Sequence, residues 1–295
     1  MAECFLFRMK HQKGENMISA VMPCSGWATT GYPYKQALKC WSRVCDEVII
    51  VVHGRNEAEE LIQATAAFPN VHIRSVAAPS LDSFAAYGTY LLIGLFYCND
   101  PDWVLSVEAD FLISPEQGKI LRDTLNSAGE EQEIFMADVV TLSYDGTKET
   151  YQSEFKTFFP PNDGYTWHRP IGYRPKRRIF PIPFEAVDAS GVQANCEGMI
   201  SLQSGKYGLS FNSKFMNHNP HGFNLLRTNV RIDHLTFTRF PENIRKKLSH
   251  PHWAANGVTV GGIVEGNWTL SPSYPELKEV AAEYSPMILE LVGKS

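Results

Sequence analysis

The feature that most narrows what this chain can fold into is the run Val48-Ile49-Ile50-Val51-Val52. Consecutive β-branched residues favour a strand, and an unbroken apolar run is the pattern of a strand buried on both faces. The run stops at His53-Gly54-Arg55-Asn56, where Asn56 and Glu59 have the spacing of a capping box that opens a helix.

On either side of that strand, the first 145 residues alternate β-rich runs with amphipathic stretches, which predicts a sheet covered by helices. Residues 17–22 form a first strand that Pro23-Cys24-Ser25-Gly26 breaks into a loop at its carboxyl end. Tyr34, Ala37, Leu38, Trp41, Val44 and Cys45 recur at helical spacing and should face the sheet. A third strand spans 71–76, and Asp82 can cap an apolar helix that runs to about Cys98.

Composition excludes several classes. With 44% hydrophobic and 20% charged residues over 295 positions, the chain can bury a core, which argues against disorder, collagen and coiled coil. Its longest apolar stretches, such as 91–97, fall short of the roughly 20 residues a membrane-spanning helix needs, so no stable membrane insertion is expected. Residues 1–13 lack the uninterrupted apolar segment of a secretory signal, and a cytoplasmic location is expected. Cys4, Cys24, Cys40, Cys45, Cys98 and Cys196 have no zinc-knuckle or redox spacing and read as reduced, mostly buried thiols. A formal charge of -5 provides no broad attraction to nucleic acid.

The chemistry is concentrated in Asp102–Gln117, DWVLSVEADFLISPEQ. Residues 103–107 make a strand that delivers Glu108-Ala109-Asp110 at its carboxyl end, where open α/β sheets bind ligands. Ser114-Pro115-Glu116-Gln117 then starts a helix, with Ser at the cap, Pro at the first helical position and Gln closing the box. Two carboxylates so close repel unless a cation or donors accompany them, and oxygen ligands suit magnesium or manganese. A metal-diphosphate site is one consequence; a solvated strand end is the other.

This order of elements, ending in VLSVEADFLISPE, resembles the nucleotide-sugar-binding half of glycosyltransferases with the GT-A fold, particularly family 2. The resemblance implies an α/β fold: a Rossmann-like mixed sheet flanked by helices, with an irregular acceptor-side half. It places Glu108 and Asp110 at the first and last positions of an acidic D-x-D-type motif, Asp110 as the metal ligand. It puts the nucleotide against Pro23 to Ser25 and against His53 to Asn56, where Arg55 either meets a phosphate or faces water.

Farther along, residues 151–183 are rich in Pro, Gly and aromatics and read as long loops or edge strands, which in family 2 build the acceptor side. Lys176-Arg177-Arg178 either grips phosphate or forms a solvated charge run. Residues 230–236 read as a strand, and 234–242 (HLTFTRFPE) is similar to the H-Y-x-W-x-R-x-P-E segment of some family 2-like transferases. That similarity makes His234 a further metal ligand and Arg239 a diphosphate contact. His218 and His221 could meet on a turn as a zinc pair, but Asn219-Pro220 between them argues against a helix, and no cysteine cluster supports the site.

The implied activity is metal-dependent transfer of a sugar from a nucleoside-diphosphate sugar, UDP-linked, to an acceptor hydroxyl on a glycan or another molecule, a modified DNA base included. An inverting reaction needs a carboxylate base, for which Glu197 and Asp188 are the candidates; a retaining one does not. The alternatives are a non-catalytic carbohydrate- or nucleic-acid-binding module and a nucleotidyltransferase, although Cys24-Ser25-Gly26-Trp27 lacks the lysine-bearing phosphate loop of the latter. The expected organisation is an extension over 1–16, a nucleotide-sugar-binding half over 17–145, an acceptor half over 146–253 and a C-terminal extension over 254–295.

Overall fold

The computed structural model describes residues 15–24, 34–76, 84–141, 168–187, 193–201 and 223–234. Its centre is the predicted buried strand, β2 (Glu47–His53), paired in parallel with β1 (Ile18–Cys24) on one side and β3 (Val71–Val76) on the other. Val48, Ile49, Ile50, Val51 and Val52 have no exposed surface, as an unbroken apolar strand requires. Helix α1 (Tyr34–Val44) buries Tyr34, Ala37, Leu38, Trp41 and Val44, the residues that the helical spacing selects. Helix α2 (Arg55–Thr65) links β2 to β3. Helix α3 (Phe84–Phe96) lies on the other side of the sheet, where Tyr90 and Leu91 join Val21, Ile49 and Val51 in a second core cluster.

The mixed sheet flanked by helices is the architecture the sequence predicts. Strands β4 (Trp103–Ser106), β5 (Phe111–Leu112), β6 (Ile134–Thr141), β7 (His168–Tyr173) and β10 (Leu225–His234) complete an eight-stranded sheet of order β3-β2-β1-β4-β7-β6-β10-β5. Helix α4 (Pro115–Ser127) follows β5. A separate antiparallel pair, β8 (Ile179–Val187) and β9 (Gln193–Ser201), packs against α3.

The order forces the sheet to curl. Strands β4 and β5 are separated by β7, β6 and β10, roughly 19 Å across a flat sheet at about 4.8 Å per strand. Only Val107, Glu108, Ala109 and Asp110 connect them, and the Phe111 N–H closes a turn onto the Glu108 carbonyl at 3.1 Å. A turned link of that length cannot span a flat sheet, so the far edge bends back over the end of β4.

Several local expectations are corrected. Pro23 and Cys24 belong to β1 and do not break it. The last β1–β4 pair is Val21 with Ser106, so beyond it the missing N–H of Pro23 removes no ladder bond on that side. Asn56 is not a cap: α2 begins at Arg55 behind Gly54, whose φ of 85° is a conformation that glycine adopts without strain. Ser114 does cap α4, accepting from the Gln117 N–H at 3.1 Å, but the Gln117 side chain bonds elsewhere.

The largest departure is β7. It lies inside the sheet between β4 and β6, not in a loop or at an edge. Pro170 is accommodated where the β6–β7 register shifts between Phe135 and Met136, and bulges are where a proline enters a sheet interior. Lys176, in the middle of a short 3-10 turn (Pro175–Arg177), bonds Asp102 at 2.9 Å; Arg177 donates to the Glu130 carbonyl at 2.6 Å. Both anchors lie at the amino end of β4 and beyond α4, away from the acidic corner. Among the described residues, no helix is long and apolar enough to cross a membrane. Cys24, Cys40, Cys45 and Cys98 are free thiols, the first and third buried.

Candidate functional site

Glu108 and Asp110 stand at the carboxyl end of β4, in the turn between it and β5. The turn is held from several sides: Val107 N–H donates to the Val21 carbonyl at 3.0 Å, and the buried Trp41 indole donates to the Phe111 carbonyl at 2.9 Å. Asp110 has no exposed surface, whereas Glu108 keeps a quarter of its side chain accessible.

The curled edge brings His234 to this turn. It is the last residue of β10, paired with Phe111 on antiparallel β5 and with Thr141 on parallel β6. Its Nε2 lies 3.6 Å from Asp110 Oδ2 and 3.9 Å from Glu108 Oε2, and the Phe111 ring meets the imidazole edge-on with centroids 5.0 Å apart. One ligand atom from each of Glu108, Asp110 and His234 lies within 4.8 Å of the others, the one such cluster of potential metal ligands among the described residues.

This donor set fits a hard divalent ion. Ligands at about 2.1 Å from an octahedral ion are separated by roughly 3 Å when adjacent and 4.2 Å when opposite, so these spacings admit an ion with small side-chain movement. Two carboxylate oxygens and an imidazole suit magnesium or manganese better than a thiolate-seeking ion. The segments reach one another only through the sheet, because 108–110 and 234 lie far apart in the chain.

The other candidates are dispersed. Pro23 is buried near the carboxyl end of β1. His53 ends β2 and is half-buried, its Nδ1 3.0 Å from the hydroxyl of the buried Tyr90. Arg55 opens α2. Pro23, His53 and Arg55 are therefore at the carboxyl ends of neighbouring parallel strands, the same end of the sheet as the acidic turn. Glu197 lies within β9, opposite Pro183, rather than in a turn. Ser25, Asp188, Arg239, His218 and His221 lie outside the described residues.

Sequence reasoning missed the residues that hold the site together. Gln117, read as part of a cap, instead accepts from the Arg231 backbone N–H at 2.9 Å, tying α4 to β10. Arg231 donates through Nε to the buried Asp233 at 2.7 Å, next to His234. The alternation of charge in Arg231-Ile232-Asp233 was the available signal, but nothing local indicates that both charges are turned inward.

The described residues thus form an eight-stranded mixed sheet curled around an acidic turn. No protein family matches the sequence, and no curated protein does. Among solved structures, the chain is similar to S. aureus TarS 1–349, with 13% identity over 94% of this chain and 79% of that one and a TM-score of 0.46. It is also similar to glucosyl-3-phosphoglycerate synthase from Mycobacterium tuberculosis in complex with Mn2+, uridine-diphosphate and glucosyl-3-phosphoglycerate, with 13% identity over 86% of each chain and a TM-score of 0.43. A third likeness is to 4-diphosphocytidyl-2C-methyl-D-erythritol synthase from Anaerococcus prevotii, with 18% identity over 55% of this chain and 71% of that one and a TM-score of 0.37. Likenesses this distant assign no activity.

Proposed function

We propose that this protein is a metal-dependent glycosyltransferase that moves a sugar from a nucleoside-diphosphate sugar, UDP-linked, to an acceptor hydroxyl. The observation that carries this is the convergence of Glu108, Asp110 and His234, from distant segments of the chain, on one point at the carboxyl edge of the parallel strands. A buried carboxylate there is costly without a positive partner, and a diphosphate leaving group needs the same positive charge from the other side.

Asp110 and His234 hold the divalent ion, Mn2+ or Mg2+, with Glu108 as a further ligand at the rim. When bound, the ion neutralises charge that develops on the departing diphosphate. Residues 17–145 bind the donor and 146–253 the acceptor, as two halves of one domain. The nucleotide rests against Pro23, Ser25, His53 and Arg55, and Arg239 adds a cation to the diphosphate. In the transfer, the bond from the anomeric carbon to the diphosphate oxygen breaks while the acceptor oxygen bonds to that carbon. In an inverting reaction, Glu197 takes the acceptor's proton, with Asp188 the alternative base.

Labelled UDP-sugars incubated with the protein and Mn2+ test the proposal. Release of UDP that stops on adding a chelator, and is lost in Asp110→Ala with an unchanged circular dichroism spectrum, is the expected result. Turnover indifferent to the chelator would overturn the metal assignment. Sugar binding without UDP release, unaffected by Asp110→Ala, would point to a non-catalytic module.

A further inference from the structure

We propose that a bulge in β10, locked by Gln117 and Thr228, sets the height at which His234 meets the acidic turn, and that Gln117 and Thr228 are therefore positioning residues. The inference deepens the metal-site proposal above and rests on it for its function, though not for its geometry.

The β10–β6 ladder starts in one register and ends in another. Arg227 pairs with Met136 and Arg231 with Asp138, so four residue steps on β10 match two on β6. Two extra residues are thus taken up between them. Had the first register continued, Ile232 would lie opposite Thr141, and His234 would overshoot by two residues, roughly 7 Å at about 3.3 Å each. A shift of two preserves which face each side chain occupies. The bulge therefore leaves His234 on its own side of the sheet and draws it back level with Phe111 and the Glu108–Asp110 turn.

The extra residues are fastened by side chains. The Thr228 hydroxyl donates to the Met136 carbonyl at 2.9 Å and accepts from the Val230 N–H at 3.3 Å, closing the bulge on itself. At its far end, the Arg231 N–H is taken by Gln117 Oε1 at 2.9 Å, from the first turn of the helix that follows β5. One short segment, 108–117, thus carries both the acids and the residue that sets the histidine's height.

The test compares wild type, Gln117→Leu, Gln117→Glu and Thr228→Val in two measurements. Mn2+ affinity is read by water-proton relaxation, and the His234 ring C–H resonance is read in metal-free protein by NMR, assigned by its loss in His234→Ala. Gln117→Leu should weaken Mn2+ about ten-fold or more, the usual effect of removing a group that orients a ligand. It should also move the His234 resonance, because the Phe111 ring current no longer acts on it at the same distance. Gln117→Glu keeps the accepting oxygen and should restore both; Thr228→Val should act in the same direction as Gln117→Leu. An unmoved resonance with wild-type affinity, in Gln117→Leu or in a folded Thr228→Val, overturns the inference. A wild-type protein that binds no Mn2+ overturns the metal proposal instead, and the metal-free resonance still decides the role of the bulge.

Discussion

The His234 imidazole stands 3.6 Å from the Asp110 carboxylate, on the last residue of one strand and the turn before another. A ligand that binds only the folded arrangement stabilises it by mass action, by about 2.7 kcal/mol at one hundred times its dissociation constant. Saturating Mn2+ should therefore raise the thermal midpoint of the wild-type protein, and Asp110→Ala and His234→Ala should each abolish that rise. Differential scanning fluorimetry with and without Mn2+ checks this; an undiminished rise in either variant would remove that residue from the ligand set.

At Gly94, α3 lies close against the sheet. A Cβ there would collide with both γ-carbons of Val21, in the centre of fully buried β1. Gly94→Ala should destabilise the fold by about 1–3 kcal/mol, as overpacking of a core does. Adding Val21→Ala removes the obstructing atoms, so the double variant should lose less than the two single losses combined. Urea unfolding midpoints measure the coupling, and strict additivity would place the contact elsewhere.

Lys176 tests where the basic cluster acts. It is bonded to Asp102 at the amino end of β4, with Asp100 3.5 Å away, while the acidic turn lies at the carboxyl end of the same strand. Lys176→Ala should leave UDP release unchanged and cost no more than about 1 kcal/mol, as expected of a half-exposed ion pair. A large fall in turnover would return this cluster to the phosphate-binding role that sequence alone left open.

The Cys98 thiol responds to alkali. Burial, reinforced by the nearby Glu47 carboxylate, pushes it up to about 12. In the unfolded chain it ionises near 9, so between about pH 9 and 12 the unfolded state gives up a proton that the native state keeps, and stability falls as pH rises. Below that window its contribution is complete. The drop in urea midpoint from about pH 8 to pH 10.5 should therefore be smaller in Cys98→Ala than in wild type. Equal drops would show that the thiol is not held protonated.

Much of this fold is written locally. The apolar run of β2, the helical spacing of Tyr34 to Val44 and the Ser114 cap each express a backbone preference or a periodicity that depends on neighbours within a few residues, and each appears in the structure as the sequence predicts. The acidic pair was legible for the same reason, since a strand ending in Glu-Ala-Asp sets its carboxylates at the edge of the sheet whatever happens elsewhere. What local pattern concealed was β7, whose proline forbids an interior strand until an extra residue on β7 shifts its register against β6 and makes room for it. It equally concealed the bulge in β10, because a two-residue slip changes height without disturbing the alternation of faces. The amino-acid sequence by itself marked β1 to β4, the helices around them and the acidic pair Glu108 and Asp110, and a resemblance added His234. Only the tertiary structure decided that the ligands meet, because four residues between β4 and β5 cannot reach across a flat sheet and its far edge must curl back to place His234 on the turn.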